Sequence, residues 1–204
     1  MKKNILFSIL IVAVIIALTV GGTYAYLVAS DSKDFSIATR SGINTTLTLE
    51  PIKVSTNLVP LLDSKVKTAI SKSSNKCVDN SNYDVCSLYK VTVSNTSTSE
   101  QIYGYVKTVS STYETTNLRY QVYDSSFNAL SNAMTISKTA GDYVYFYTGD
   151  TKWSFTSTGS TVFYFVVWLT GTNSTQDSDY NKTFNGALGI ELVGSSSDKL
   201  EATF

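Results

Sequence analysis

The side chains able to do chemistry in this 204-residue sequence are few, and their spacing limits what they could do. Cys77 and Cys86 are the only cysteines, nine positions apart in Lys76-Cys77-Val78-Asp79-Asn80-Ser81-Asn82-Tyr83-Asp84-Val85-Cys86. In an oxidising compartment such a pair reads as a structural disulfide, and closing so short a loop stabilises a fold by roughly 2–3 kcal/mol. Two thiols without histidine make a poor metal set, and the spacing is not that of a redox motif. Histidine is absent altogether. That removes Ser-His-Asp and Cys-His nucleophiles, the zincin motifs and most transition-metal sites. Glu100, Glu114, Asp142 and Asp150 are scattered in turn-like segments rather than paired across a cleft, as glycoside hydrolysis requires. No catalytic residue, cofactor or metal ligand is assigned, and the chain reads as a non-enzyme.

Two softer signals remain. Asp177-Ser178-Asp179-Tyr180-Asn181 places oxygen side chains at alternating positions, but lacks the glycine and distal glutamate of a known calcium loop. It reads as a solvated turn, with calcium as the alternative. Tyr143, Tyr145 and Tyr147 alternate with Val144 and Phe146. One side of that segment is then core and the other tyrosine-rich, which reads as outer-face packing, with a platform for a glycan or partner as the rival.

These residues need a scaffold, and the composition points to β-structure. Tyr (14) and Phe (9) are abundant beside Val and Thr, and the only prolines are Pro51 and Pro60. Such residues fit a pleated, half-buried surface. Ile43, Thr45, Leu47 and Leu49 share one face of a strand that Pro51 is expected to end. Tyr89, Val91 and Val93 oppose Leu88, Lys90, Thr92 and Ser94, and the polar run Asn95–Glu100 reads as a hairpin loop. Thr161–Leu169 is apolar on both faces, as a central strand should be. Phe184–Val193 follows, with Gly186 and Gly189 marking a bulge or close backbone approach. Leu61, Leu62, Lys65, Val66, Ala69 and Ile70 instead recur at helical spacing, predicting one short helix within 58–74, capped by Asp63 or Ser64. About nine strands then predict an all-β fold, an antiparallel two-layer sandwich of jelly-roll type. Residues 26–204 form one such domain, with 194–204 as a polar tail ending in Phe204.

The first 25 residues carry the address. Lys2 and Lys3 precede an apolar run from Ile5 to Val20 and then Gly21-Gly22-Thr23-Tyr24-Ala25, with no acid before Asp31. A cationic start, an apolar core and small residues ending in Ala form a secretory signal, with cleavage expected between Ala25 and Tyr26. The apolar run is long for a signal, and the uncharged stretch to Ser30 could also span a bilayer as an uncleaved N-terminal helix. Either way the rest of the chain is delivered outside the cell. From Tyr26 on, 14 basic residues face 16 acidic ones, so there is no electrostatic footprint for nucleic acid.

Gly21-Gly22-Thr23-Tyr24-Ala25-Tyr26-Leu27, then Ser32-Lys33-Asp34-Phe35-Ser36-Ile37-Ala38 and Leu47-Thr48-Leu49, resemble the TasA/camelysin family, secreted fibre proteins of Gram-positive biofilm matrices. Tyr89–Asn95 followed by Gln101–Tyr105 resembles a further strand pair of that family. Asn44–Thr48 lacks the family's acidic L-D-L, and the two cysteines are not a usual feature. The resemblance implies a jelly-roll subunit, freed by a signal peptidase, that polymerises by donating its N-terminal strand to the next subunit. The expectation is a secreted structural protein of a bacterial cell surface or biofilm matrix, associating with itself or with other surface proteins. The alternative is an adhesion or ligand-binding module anchored in the membrane by its N-terminal segment.

Overall fold

Alternating apolar and polar residues drive most of this chain into strands. The computed structural model describes residues 27–29, 36–39, 45–74, 76–172, 177–193 and 195–204. The segment 1–25 and the Ala25–Tyr26 junction lie outside the described residues, and no described helix is long and apolar enough to cross a membrane. In chain order the strands are β1 (Leu27–Ala29), β2 (Ser36–Thr39), β3 (Thr45–Lys53), β4 (Cys86–Ser111), β5 (Leu118–Tyr123), β6 (Met134–Thr135), β7 (Tyr143–Tyr145), β8 (Tyr147–Thr148), β9 (Thr151–Lys152), β10 (Ser154–Leu169), β11 (Lys182–Leu192) and β12 (Ser195–Thr203). The fold is an all-β antiparallel sandwich with one short helix, as the alternation predicted.

Ten strands belong to one hydrogen-bonded sheet, while β8 and β9 form a separate hairpin. The sheet makes two layers because β4, at 26 residues, is long enough to serve both. Its first half pairs with β3 and β10, and β2, β5 and β6 extend that layer. Its second half pairs with β11 on one side and β7 on the other, with β12 beyond β11. The hairpin loop expected at Asn95–Glu100 is not there. Across that polar run β4 stays extended, and its register against β10 slips between Ser157 and Gly159, which has φ +78°. A slip of this kind bends and twists a strand, letting one strand change layers.

Between the layers, Leu47, Val91, Phe163 and Phe165 meet Ile102, Val106, Phe146, Leu188 and Ile190 in the main core. The close approaches expected at Gly186 and Gly189 are real. A Cβ at Gly186 would meet the Phe184 and Phe204 rings within 3 Å, and one at Gly189 the Tyr105 ring at 2.1 Å. Pro51 does not end β3, which runs on to Lys53. It sits past the end of β2, whose last partner is Leu49, and beside a register shift between Pro51 and Lys53, where a missing N–H is tolerated.

The polar tail 194–204 is also corrected. Residues 195–203 form β12, antiparallel to β11, with Leu200 and Ala202 buried. Phe204 packs its ring 5.0 Å from Phe165 and 5.5 Å from Tyr89.

A second core lies on the outer face of the first layer. A 3₁₀ turn (Asp63–Lys65) leads into α1 (Val66–Ile70), whose Val66, Ala69 and Ile70 pack with Cys77, Val85, Cys86, Val166 and Trp168. The helix is shorter than predicted, and no side chain caps it. Its C-terminal carbonyls are taken up by the disulfide loop: Cys77 N–H donates to Ala69 O (3.0 Å) and Lys76 Nζ to Ile70 O (2.8 Å). The Cys77–Cys86 disulfide is formed and fully buried in this second core. Replacing both cysteines by alanine is expected to cost about 2–3 kcal/mol in urea denaturation. The loss registers at Trp168, in the second core, before Trp153, which packs against the main one. A variant lacking one tryptophan at a time separates the two signals, and simultaneous unfolding at unchanged midpoint would refute the assignment.

Candidate functional site

The first described strand supplies the most unusual pairing in the molecule. β1 adds parallel to β11, with Leu27, Val28 and Ala29 in register with Lys182, Thr183 and Phe184. Every other named strand pair is antiparallel. β12 occupies the same edge of β11 from Ala187 to Leu192, so β1 covers what β12 leaves open. Phe204 N–H and O exchange hydrogen bonds with Gly186 between them. Parallel pairing is slightly weaker per residue, and here it rests on three residues at an edge. On its opposite edge, β11 makes nine register pairs to β4.

The tyrosine-rich face is built by β4, β7, β11 and β12. Tyr103 and Tyr105 on β4 meet Tyr143 and Tyr145 on β7 at centroid distances of 5.4–6.1 Å, mostly edge-on. Tyr105 can lie flat because the residue beneath it is Gly189, which has no side chain. Lysines cover the rings: Lys152 Nζ is 3.5 Å from the Tyr145 centroid and Lys199 Nζ 4.2 Å from that of Tyr143. Tyr145 donates its hydroxyl to Glu191 (2.7 Å) and Tyr105 to Glu201 (2.9 Å), while Lys199 and Lys107 pair with the same two carboxylates. Burial, and then the bond to Glu191, push the Tyr145 phenol well above its ordinary value. Ammonium groups over aromatic faces and hydroxyls committed to carboxylates leave little flat ring for a sugar to stack on. Tyr147 is not part of this face, because the segment breaks at the buried Phe146 and Tyr147 joins the β8–β9 hairpin.

The calcium-like cluster resolves differently from its sequence pattern. Asp177–Asp179 form a 3₁₀ turn, and Asp179 is fully buried. One of its oxygens accepts from Thr115 Oγ1 and the other from Asn117 Nδ2 (2.7 Å), both on the β4–β5 connection. Its carboxylate therefore ties two loops together. Among the described residues no group of three or more metal-ligating side chains converges. The scattered acids keep local partners. Glu114 pairs with Lys182 (2.9 Å), whose ammonium holds the carboxyl below its usual range, and Asp142 accepts from Ser137 Oγ (2.8 Å). Asp150 is exposed beside the β8–β9 turn.

Sequence reasoning missed the role of Asp63. Rather than capping a helix, its carboxylate accepts from Trp168 Nε1 (2.9 Å), Thr170 Oγ1 (2.6 Å) and Arg119 Nη1 (3.0 Å). The adjoining Leu61 bridges to Thr170, its N–H donating to Leu169 O (2.8 Å). Asp63 thus pins the helical segment to the ends of β5 and β10. No protein-family model matches the chain, and no curated protein sequence is significantly similar to it.

Proposed function

We propose that this chain is a structural subunit of a bacterial cell surface or biofilm matrix, exported by its N-terminal segment and assembled by donating β1 to a neighbour. The observation that supports this most is the β1–β11 pairing: a short parallel strand at a sheet edge, immediately after the Ala25–Tyr26 junction. Its three residues contribute no more than a few backbone hydrogen bonds, and the same bonds form equally well with an identical strand from another subunit. A neighbour's strand entering beside Lys182–Phe184 closes the edge that β1 would vacate, and an open edge left uncovered is prone to pairing anyway. The absence of histidine and the separate partners of the carboxylates favour a structural role over a catalytic one.

The test compares protein beginning at Tyr26 with the same protein lacking residues 26–34, using negative-stain electron microscopy and light scattering. Filaments from the first and monomers from the second are expected. A synthetic peptide covering residues 26–39 should cap growth by occupying the edge first. Filaments that persist without residues 26–34 would remove strand donation. Monomers in both samples, with Met1 retained on membrane-bound protein in cells, would instead favour the anchored module.

A further inference from the structure

Between α1 and the disulfide loop lies a cavity of about 290 Å³, close to the lower end of the range for small-ligand sites. Its floor is apolar: Ala69, Val78 and Val85 are buried there, and Leu61 completes the wall. It persists because Ala69 presents only a methyl group to a loop that cannot collapse onto it. The loop is held by the disulfide and by two left-handed residues, Cys77 (φ 60°) and Asn82 (φ 70°). Lys72 Nζ reaches across from the helix side to donate to Val78 O (2.5 Å), fixing one wall.

Charge at the mouth is net positive, two lysines against one carboxylate. Lys65 and Lys72 both line the cavity, and Lys65 makes no ion pair among the described residues. The one carboxylate there, Asp79, is engaged within its own loop: its Oδ1 accepts from the N–H groups of Ser81 (2.8 Å) and Tyr83 (2.9 Å). Thr68 adds a hydroxyl at the exposed rim. An apolar floor with an unpaired cation and a hydroxyl at the rim suits a ligand with a hydrocarbon body and an anionic head.

We infer that this cavity binds a small amphipathic anion, a medium-chain or arylalkyl carboxylate, with its apolar part against Ala69, Val78 and Val85 and its carboxylate at Lys65. This site is independent of how subunits assemble, since it lies on the outer face of the first layer and β11 lies in the second. A small carboxylate filling such a cavity gains from buried apolar area and from one charge-assisted hydrogen bond.

The test titrates octanoate and octanol separately into protein lacking residues 1–34, the form expected to stay monomeric, followed by backbone amide shifts in nuclear magnetic resonance. Octanoate should bind with Kd below about 1 mM, about tenfold tighter than octanol, and move the amides of Ala69, Val78 and Val85. Lys65→Gln should weaken octanoate about tenfold while leaving octanol unchanged. Ala69→Leu fills the floor and Thr68→Phe blocks the rim, so whichever of them keeps the wild-type amide spectrum should abolish binding of both. Octanol binding as tightly as octanoate, shifts confined to other surfaces, or an unchanged Kd in Lys65→Gln would each overturn the assignment.

Discussion

Raising the pH from about 10 to about 12 is expected to unfold this protein cooperatively, because the fold keeps several phenols protonated that the unfolded chain would ionise. Tyr89, Tyr113 and Tyr120 are buried in the main core. Burial pushes the Tyr89 phenol up to about 12, and pushes Tyr113 and Tyr120 higher still, Tyr113 further by the nearby Asp179 charge. Tyr105 and Tyr123 shift the same way, again chiefly through burial. A phenol whose pKa is raised on folding contributes its full stability below pH 10 and loses it as pH climbs toward the folded value. In that window the unfolded state holds fewer protons, so stability falls with pH. Each buried phenol withdraws about 1.4 kcal/mol per pH unit, so these three alone remove about 8 kcal/mol by pH 12, comparable to the whole stability of a typical domain. Tyrosinate absorbance should therefore appear in one steep step coincident with loss of the far-ultraviolet circular dichroism. Tyr113→Phe sharpens the test. Its hydroxyl is buried without a hydrogen-bond partner among the described residues. The variant should gain about 1 kcal/mol at neutral pH and unfold at higher pH than wild type. A gradual titration centred near pH 10 with unchanged circular dichroism would contradict the burial of these rings.

The parts of this fold that rest on local periodicity were legible in the sequence. Thr45, Leu47 and Leu49 alternate because each second residue of β3 faces the core, and Tyr89, Val91 and Val93 do so on β4. Local signals failed where two structures share one composition. Asn95–Glu100 is as polar as a hairpin tip, but β10 extends far enough to pair on both sides of it, so β4 bends instead of turning back. At the C-terminus, Leu200, Ala202 and Phe204 do alternate with Lys199, Glu201 and Thr203, a period-two signal outweighed by the polar residues before it. Of the candidate site, only a spacing was legible. The nine-residue cysteine loop predicted its own disulfide, whereas the edge beside Lys182 that receives β1 is defined by pairings more than 150 residues apart.

Asp63 is the clearest case of a local reading replaced by distant partners, and Asp63→Ala should show it. An acid before a helix is worth most to that helix as a cap, about 1 kcal/mol. Here the cap is absent, and the carboxylate serves donors 56 to 107 residues away. Removing it strands the indole N–H of the fully buried Trp168, and takes from Thr170 and Arg119 their bonds to the carboxylate. The Nε of Arg119 is already buried without a partner among the described residues. One orphaned buried donor costs about 1–3 kcal/mol and the lost Thr170 bond about 1 more, while the Arg119 pair is partly exposed and adds little, so a loss of about 3 kcal/mol is expected in urea denaturation. A cap alone would cost a third of that. Asp63→Asn discriminates further, since its remaining carbonyl can still accept from Trp168 and Thr170, and only the Arg119 contact turns unfavourable. It should lose about 1 kcal/mol and keep the wild-type Trp168 fluorescence, which Asp63→Ala shifts toward the red. Equal losses in the two variants would mean that charge, rather than the hydrogen bonds of Trp168 and Thr170, holds the helical segment to the sheet.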